Sequence, residues 1–175
     1  MRTYLDHPGK GQSLTFPLVD DSASGRPGTS LFWRGAEART AGPDWLRIRL
    51  LDSDPNVSLK VAIDPLAYGV LRYELRIVSL EGKSAPGATQ VYFRREGQEF
   101  DELKSMSREV PADGAWHELR LPLFQNPRWI DNGTIDALRL DLLDRAGAVE
   151  LRGLRLENDL AWAREMAARP ASGEP

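Results

Sequence analysis

The sequence predicts an all-β fold: a two-sheet antiparallel β-sandwich followed by a short C-terminal helix. Three observations carry that expectation. Apolar and polar residues alternate through many short runs, and the runs are separated by Gly-, Pro- or Asp/Asn-bearing turn signals. No sustained helical period lies between them, as an α/β architecture would require.

Taken in order, residues 1–12 read as a flexible leader. Ser13–Leu18 is a first strand closed by Pro17, and an acidic, Gly/Pro-rich loop runs from Asp20 to Gly28. Ser30–Arg34 is a second strand. Trp45–Leu50 sets Leu46, Ile48 and Leu50 against Arg47 and Arg49, and Asp52-Ser53-Asp54-Pro55-Asn56 then turns the chain. Ser58–Ile63 places Leu59, Val61 and Ile63 on one side before Asp64-Pro65. Leu71–Ser79, Gln90–Arg95, Trp116–Leu123, Ala137–Leu142 and Val149–Leu156 complete the strands, so the sandwich spans residues 13–157. Only Phe100–Ser105 and Asp159–Ala168 have helical character. The second gives a helix within 158–168, capped by Asn158 or Asp159, with Leu160, Ala163 and Met166 near one face. Residues 169–175 are expected to be a disordered tail.

A chain of 175 residues fits one domain with a core of its own. The formal net charge of −3 leaves no global positive field to recruit nucleic acid. Cysteine is absent, which excludes disulfides and thiolate metal sites. No stretch reaches the roughly 20 apolar residues of a membrane span, and no apolar signal segment opens the chain. The expected location is cytoplasmic, without membrane insertion.

Strand alternation assigns faces. Leu71, Tyr73, Leu75 and Ile77 point inward, leaving Arg72, Glu74 and Arg76 outside. Val91 and Phe93 point inward, so Gln90, Tyr92 and Arg94 point out. His117, Leu119 and Leu121 share the inner side, with Trp116, Glu118 and Arg120 opposite; Leu138, Leu140 and Leu142 leave Arg139 and Asp141 outside. If these strands lie in one sheet, its wet surface gathers arginines, carboxylates, a glutamine and two aromatics.

The order of motifs is itself informative: Asp54-Pro55, Tyr73–Val78, Gln90-Val91-Tyr92-Phe93-Arg94, Glu99-Phe100, Asp113-Gly114-Ala115-Trp116-His117, Leu138-Arg139-Leu140-Asp141 and Val149–Leu156. This series resembles the jelly-roll, galactose-binding-like domains that accompany bacterial glycosyltransferases and other polysaccharide-handling proteins. The likeness covers roughly residues 13 to 157. In many such domains the Leu-Arg-Leu-Asp run continues into proline, where this chain has Leu142. The resemblance implies a non-catalytic carbohydrate-binding module. It would hold a bacterial surface polysaccharide for a glycosyltransferase or related protein, with a neighbouring glycosyltransferase domain as partner.

A glycan site needs a flat aromatic for the C–H face of a sugar and planar polar groups for its hydroxyls. The candidate ligand residues are therefore Arg72, Glu74, Arg76, Gln90, Tyr92, Arg94, Trp116, Arg120 and Arg139, with Trp129 as a rim platform. Arginine also offers bidentate binding to an acidic glycan. Two plainer readings stand beside this one. Arg and Glu across strands form exposed ion pairs without any ligand, and Trp33 and Trp129 serve as apolar plugs. No cofactor is required. Asp20, Asp21 and Asn158 supply the hard oxygens of a structural calcium site, a feature of jelly-roll relatives, or else form turns and caps.

Enzymatic chemistry finds little support. His7 lies in the leader and His117 on an apolar face, where it reads as a hydrogen-bonded core residue. Glu74, Glu118 and Asp141 could be a glycosidase pair, but neighbouring arginines would depress a general acid. The alternative to a glycan module is a structural, docking or oligomerisation domain without a ligand, using the C-terminal helix as a contact.

Overall fold

The structure, a computed structural model, describes residues 4–6, 12–18, 31–52, 54–81, 86–130 and 133–168. Eleven strands appear among them: β1 (Ser13–Thr15), β2 (Leu31–Arg34), β3 (Ala36–Thr40), β4 (Trp45–Leu50), β5 (Asn56–Ile63), β6 (Val70–Leu80), β7 (Gly87–Arg95), β8 (Ser105–Val110), β9 (His117–Leu121), β10 (Ile135–Asp141) and β11 (Gly147–Glu157). One helix follows, α1 (Leu160–Ala168). Asp159 caps it, accepting from the Trp162 amide at 3.0 Å.

The strands form two antiparallel sheets. The first has the order β3-β4-β11-β6-β9, with β1 also paired to β11; the second has the order β2-β5-β10-β7-β8. The inner sets, 4-11-6-9 and 5-10-7-8, are the two four-stranded layers of a jelly roll. The fold is thus the predicted β-sandwich. Between the sheets lies one core that includes Ile48, Leu59, Leu71, Tyr73, Phe93, Leu121, Leu138, Leu140 and Leu151, all buried.

Strand β11 is the axle of the first sheet. Its first half pairs with β4, and Arg155–Glu157 pairs with β1 along the same edge. Between them Gly153 takes φ +64° and the register slips. That bulge shifts the alternation by one residue, so Leu151 and Leu154 both face the core while Arg152 and Arg155 both stay outside.

Two strands lay outside the sequence expectation. In β3 only Ala38 is buried, because Ala36–Thr40 is an edge strand with one small apolar anchor. The other is β8, Ser105–Val110, which pairs with β7 just beyond the stretch Phe100–Ser105 read as helical; within that stretch a single 3₁₀ turn forms, Glu102–Lys104, capped by Asp101. The acidic loop from Asp20 to Gly28, the leader around His7 and the tail from 169 onward lie outside the described residues.

Candidate functional site

The expected single charged surface does not form. Arg72, Glu74, Arg76 and Arg120 stand on β6 and β9 in the first sheet, whereas Gln90, Tyr92, Arg94 and Arg139 stand on β7 and β10 in the second. Alternation told inside from outside correctly. It does not say which layer a strand joins, and jelly-roll connections carry the chain across the sandwich repeatedly. The two groups therefore occupy opposite outer faces.

Trp129 belongs to neither face. Its ring is fully buried, edge-on to Phe93 at 5.0 Å, and its Nε1–H donates to the carbonyls of Pro65 at 3.0 Å and Tyr68 at 2.9 Å. A buried indole with its one donor satisfied is a core plug, so it cannot be a rim platform. The proposed carboxylate pair also dissolves: Glu74 and Glu118 are cross-strand neighbours, each bound to arginine, while Asp141 lies on the other sheet. His117 faces Leu75 across the strands and is half-buried, hydrogen-bonded to Asp113 at 2.8 Å.

The first-sheet face is a lattice of ion pairs. Glu150, fully buried, accepts from both Arg47 and Arg76. Arg152 binds Glu74 at 2.6 Å, Arg72 binds Glu118, and Arg155 binds Glu157 at 2.5 Å. Burial pushes Glu118 upward, but the hydrogen bonds and charges of Arg72 and Arg120 outweigh it and hold the carboxyl below its ordinary range. Trp116 lies against this lattice with the Arg152 and Arg76 guanidinium carbons 4.3 and 5.0 Å from its ring centre. Its ring meets that of Trp45 edge-on at 6.3 Å.

The second-sheet face is organised by one cross-strand row: Phe32, Ser58, Arg139, Tyr92 and Ser105. Residues paired across neighbouring strands share a face. Phe32 at one end is 59% exposed, and the half-buried Ser58 stands between it and Arg139. The Arg139 guanidinium sits 5.3 Å from the centre of the Tyr92 ring, fixed by bidentate bonds to Asp141 at 2.7 and 2.9 Å and by Asp54. Tyr92 donates to Glu102 at 2.7 Å, and Gln90 donates to Glu102 and Ser105, each at 2.9 Å. Burial and the bond to Glu102 raise the Tyr92 phenol, keeping it a donor. Burial raises Asp141 as well, against the opposing pull of Arg139. A cleft of about 70 Å³ opens beside the row, lined by residues that include Asp54, Gln90, Asp141 and Asp144. Arg94 stands one row further, over Phe100 at 5.2 Å and 3.5 Å from Asp136.

Sequence reasoning missed Phe32, Ser58 and Glu102. The first was legible in principle, since Leu31 and Trp33 flank it at inward positions. The last became visible only with β8 and its preceding turn in place. Of the calcium candidates, Asp20 and Asp21 lie outside the described residues. Asn158 is buried and donates to the Ala67 carbonyl at 2.9 Å. Among the described residues no group of three or more His, Cys, Asp and Glu could hold a metal ion. No described helix is long and apolar enough to cross a membrane.

Neither a protein-family model nor a curated protein matches the sequence. Solved structures do match in fold. A family 29 carbohydrate-binding module superposes with a TM-score of 0.57 at 14% identity, over 85% of this chain and 90% of that one. A variant of such a module, complexed with cellulohexaose, gives 0.54 at 16% identity, over 85% and 92%. A low-affinity xylan-binding module of family 86 from the gut symbiont Roseburia intestinalis gives 0.50 at 12% identity, over 85% and 95%. At these identities the likeness establishes the shared β-sandwich.

Proposed function

We propose that this protein is a non-catalytic carbohydrate-binding module whose ligand face is the outer surface of the second sheet. The observation that carries the reading is the row Phe32–Ser58–Arg139–Tyr92. Its two aromatic residues stand three strands apart, roughly 14 Å at about 4.8 Å per strand. An extended glycan crossing the strands would stack on Phe32, pass over Ser58 and meet the Arg139–Tyr92 pair. Arg139, Asp141, Gln90 and Glu102 then offer planar donors and acceptors for its hydroxyls. Such a shallow face buries little of its ligand, so binding to a short oligosaccharide is weak.

The fold supports the same class. Solved neighbours include modules complexed with cellulohexaose and mannohexaose, and others in which a tyrosine, an arginine or an aspartate was replaced to probe ligand recognition. Tyrosine and arginine also stand at the centre of the second-sheet row here, with Asp141 bound to Arg139 beside it. The motif resemblance extends the reading to a bacterial surface polysaccharide held for a glycosyltransferase or related enzyme, whose local substrate concentration the module would raise. Docking through the C-terminal helix is the less favoured reading, because α1 buries Ala163 and turns Trp162 edge-on to Phe124 at 6.3 Å.

Affinity electrophoresis and calorimetry with glucan, mannan and xylan oligosaccharides test the proposal. Phe32→Ala, Tyr92→Ala and Arg139→Ala are each expected to weaken binding roughly tenfold or more, a loss of about 1.4 kcal/mol, while Trp116→Ala leaves it unchanged. Binding indifferent to all three row substitutions, or no binding by the native chain, would refute the assignment.

A further inference from the structure

The opposite face carries a feature that the Tyr92 row does not explain. Strands β3 and β4 border a cleft of about 310 Å³ lined by Glu37, Arg39, Thr40, Ala41, Arg47 and Arg49. Arg39 stands directly across from Arg47, and Glu37 across from Arg49. Like charges placed opposite each other on neighbouring strands are unfavourable, and of the facing pair only Arg47 has a close carboxylate. Arg49 reaches Glu37 only at 3.5 Å, with 67% and 48% of the two side chains exposed. Arg47 shares the single charge of Glu150 with Arg76. Arg39 is exposed and makes no ion pair or hydrogen bond with the described residues. Arg39, Arg47 and Arg49 thus line one concavity, with Glu37 the only carboxylate among its described lining residues.

An aromatic residue stands next to the cleft on the same strand. Trp45 lies on the same face of β4, two residues before Arg47, and its backbone carbonyl accepts from the amide of the cleft residue Ala41 at 3.2 Å. Guanidinium forks bind planar oxyanions bidentately, and an indole face takes the C–H surface of a sugar ring. We propose that this cleft is a second binding site, specific for the oxyanion group of an acidic oligosaccharide, uronate or sulfate. Arg39 and Arg47 hold the anion while the sugar lies toward Trp45. The site stands on its own geometry and does not depend on the second-sheet row.

Trigalacturonate, its methyl ester and inorganic phosphate are the probes, titrated against the whole chain with tryptophan fluorescence and calorimetry as readouts. Trigalacturonate is expected to bind, to weaken as salt is raised, and to lose roughly tenfold in affinity in Arg39→Ala. Arg39→Lys keeps the charge without the fork and should recover part of that loss. Tyr92→Ala should bind trigalacturonate as well as the native chain. An unchanged thermal midpoint establishes that the Arg39 variants fold, as expected for an exposed edge position. Failure of trigalacturonate to bind, or affinity unaffected by Arg39→Ala, overturns the proposal. Equal affinity for the methyl ester or for phosphate overturns it too, since the cleft would then recognise a neutral sugar or a bare oxyanion.

Discussion

The two outer faces are built from the same strand alternation and the same residue types, yet they do different things with charge. On the first sheet, from β11 across to β9, every arginine has a carboxylate in the same sheet or beside it, and Glu150 is fully buried beneath two of them. On the second, the charged groups Arg139, Asp141 and Glu102 gather round Tyr92, and the row ends beyond Ser58 in an exposed phenylalanine. A charged sheet face is thus no signature of binding by itself. What distinguishes the second face is aromatic surface left uncovered next to polar groups already held in place.

The largest effect belongs to the core the faces share. Trp129→Ala removes the largest fully buried side chain and leaves the Pro65 and Tyr68 carbonyls without their donor. A loss of about 3–5 kcal/mol is expected in urea unfolding. A loss below about 1 kcal/mol would mean that Trp129 is not the plug described above.

Next comes the contrast itself. Glu150→Ala takes away the buried carboxylate that compensates Arg47 and Arg76, and should cost about 2–3 kcal/mol. This is less than a fully buried pair costs to break, because both arginines can partly rehydrate. Asp54→Ala, removing an exposed partner of Arg139, should cost under about 1 kcal/mol. Equal costs would erase the distinction between a structural lattice and an adaptable face.

How much of this could be read from residues alone follows from what alternation encodes. Trp45–Leu50 was legible to the residue because three apolar residues face three outward ones. Strand β3 was not, since a single inward alanine gives no period, and β8 was masked by the polar positions of Ser105–Val110. The candidate site was half legible. Gln90, Tyr92, Arg94 and Arg139 do converge, because β7 and β10 are neighbours. Arg72, Arg76 and Arg120 were grouped with them only because a period of two carries no information about layer. Strand pairing is a non-local property, decided by how the whole chain closes its core.

The smallest expected effect separates the faces by the sign of their response to acid. Glu118, on the first sheet, is held below its ordinary range by Arg72 and Arg120 despite its burial. Its pairing contributes stability above its unfolded pKa, and that contribution is lost as pH falls through the lower folded value. Asp141, on the second sheet, is raised by burial that the Arg139 pair does not fully offset. Between its unfolded and folded values the native state binds more protons, so its contribution is fully present below about pH 4 and declines as pH rises through the folded value. Carboxyl-carbon NMR titration of the native chain should find the Glu118 midpoint below that of an ordinary glutamate and the Asp141 midpoint above that of an ordinary aspartate. The opposite directions follow from the charge placement: two cations converge on Glu118, whereas Asp141 shares Arg139 with Asp54. Asp54→Ala should accordingly lower the Asp141 midpoint, since it removes a like charge that now helps to raise it. Shifts of the same sign at both, or an Asp141 midpoint that ignores Asp54, would put the two carboxylates in equivalent surroundings and undo the contrast between the faces.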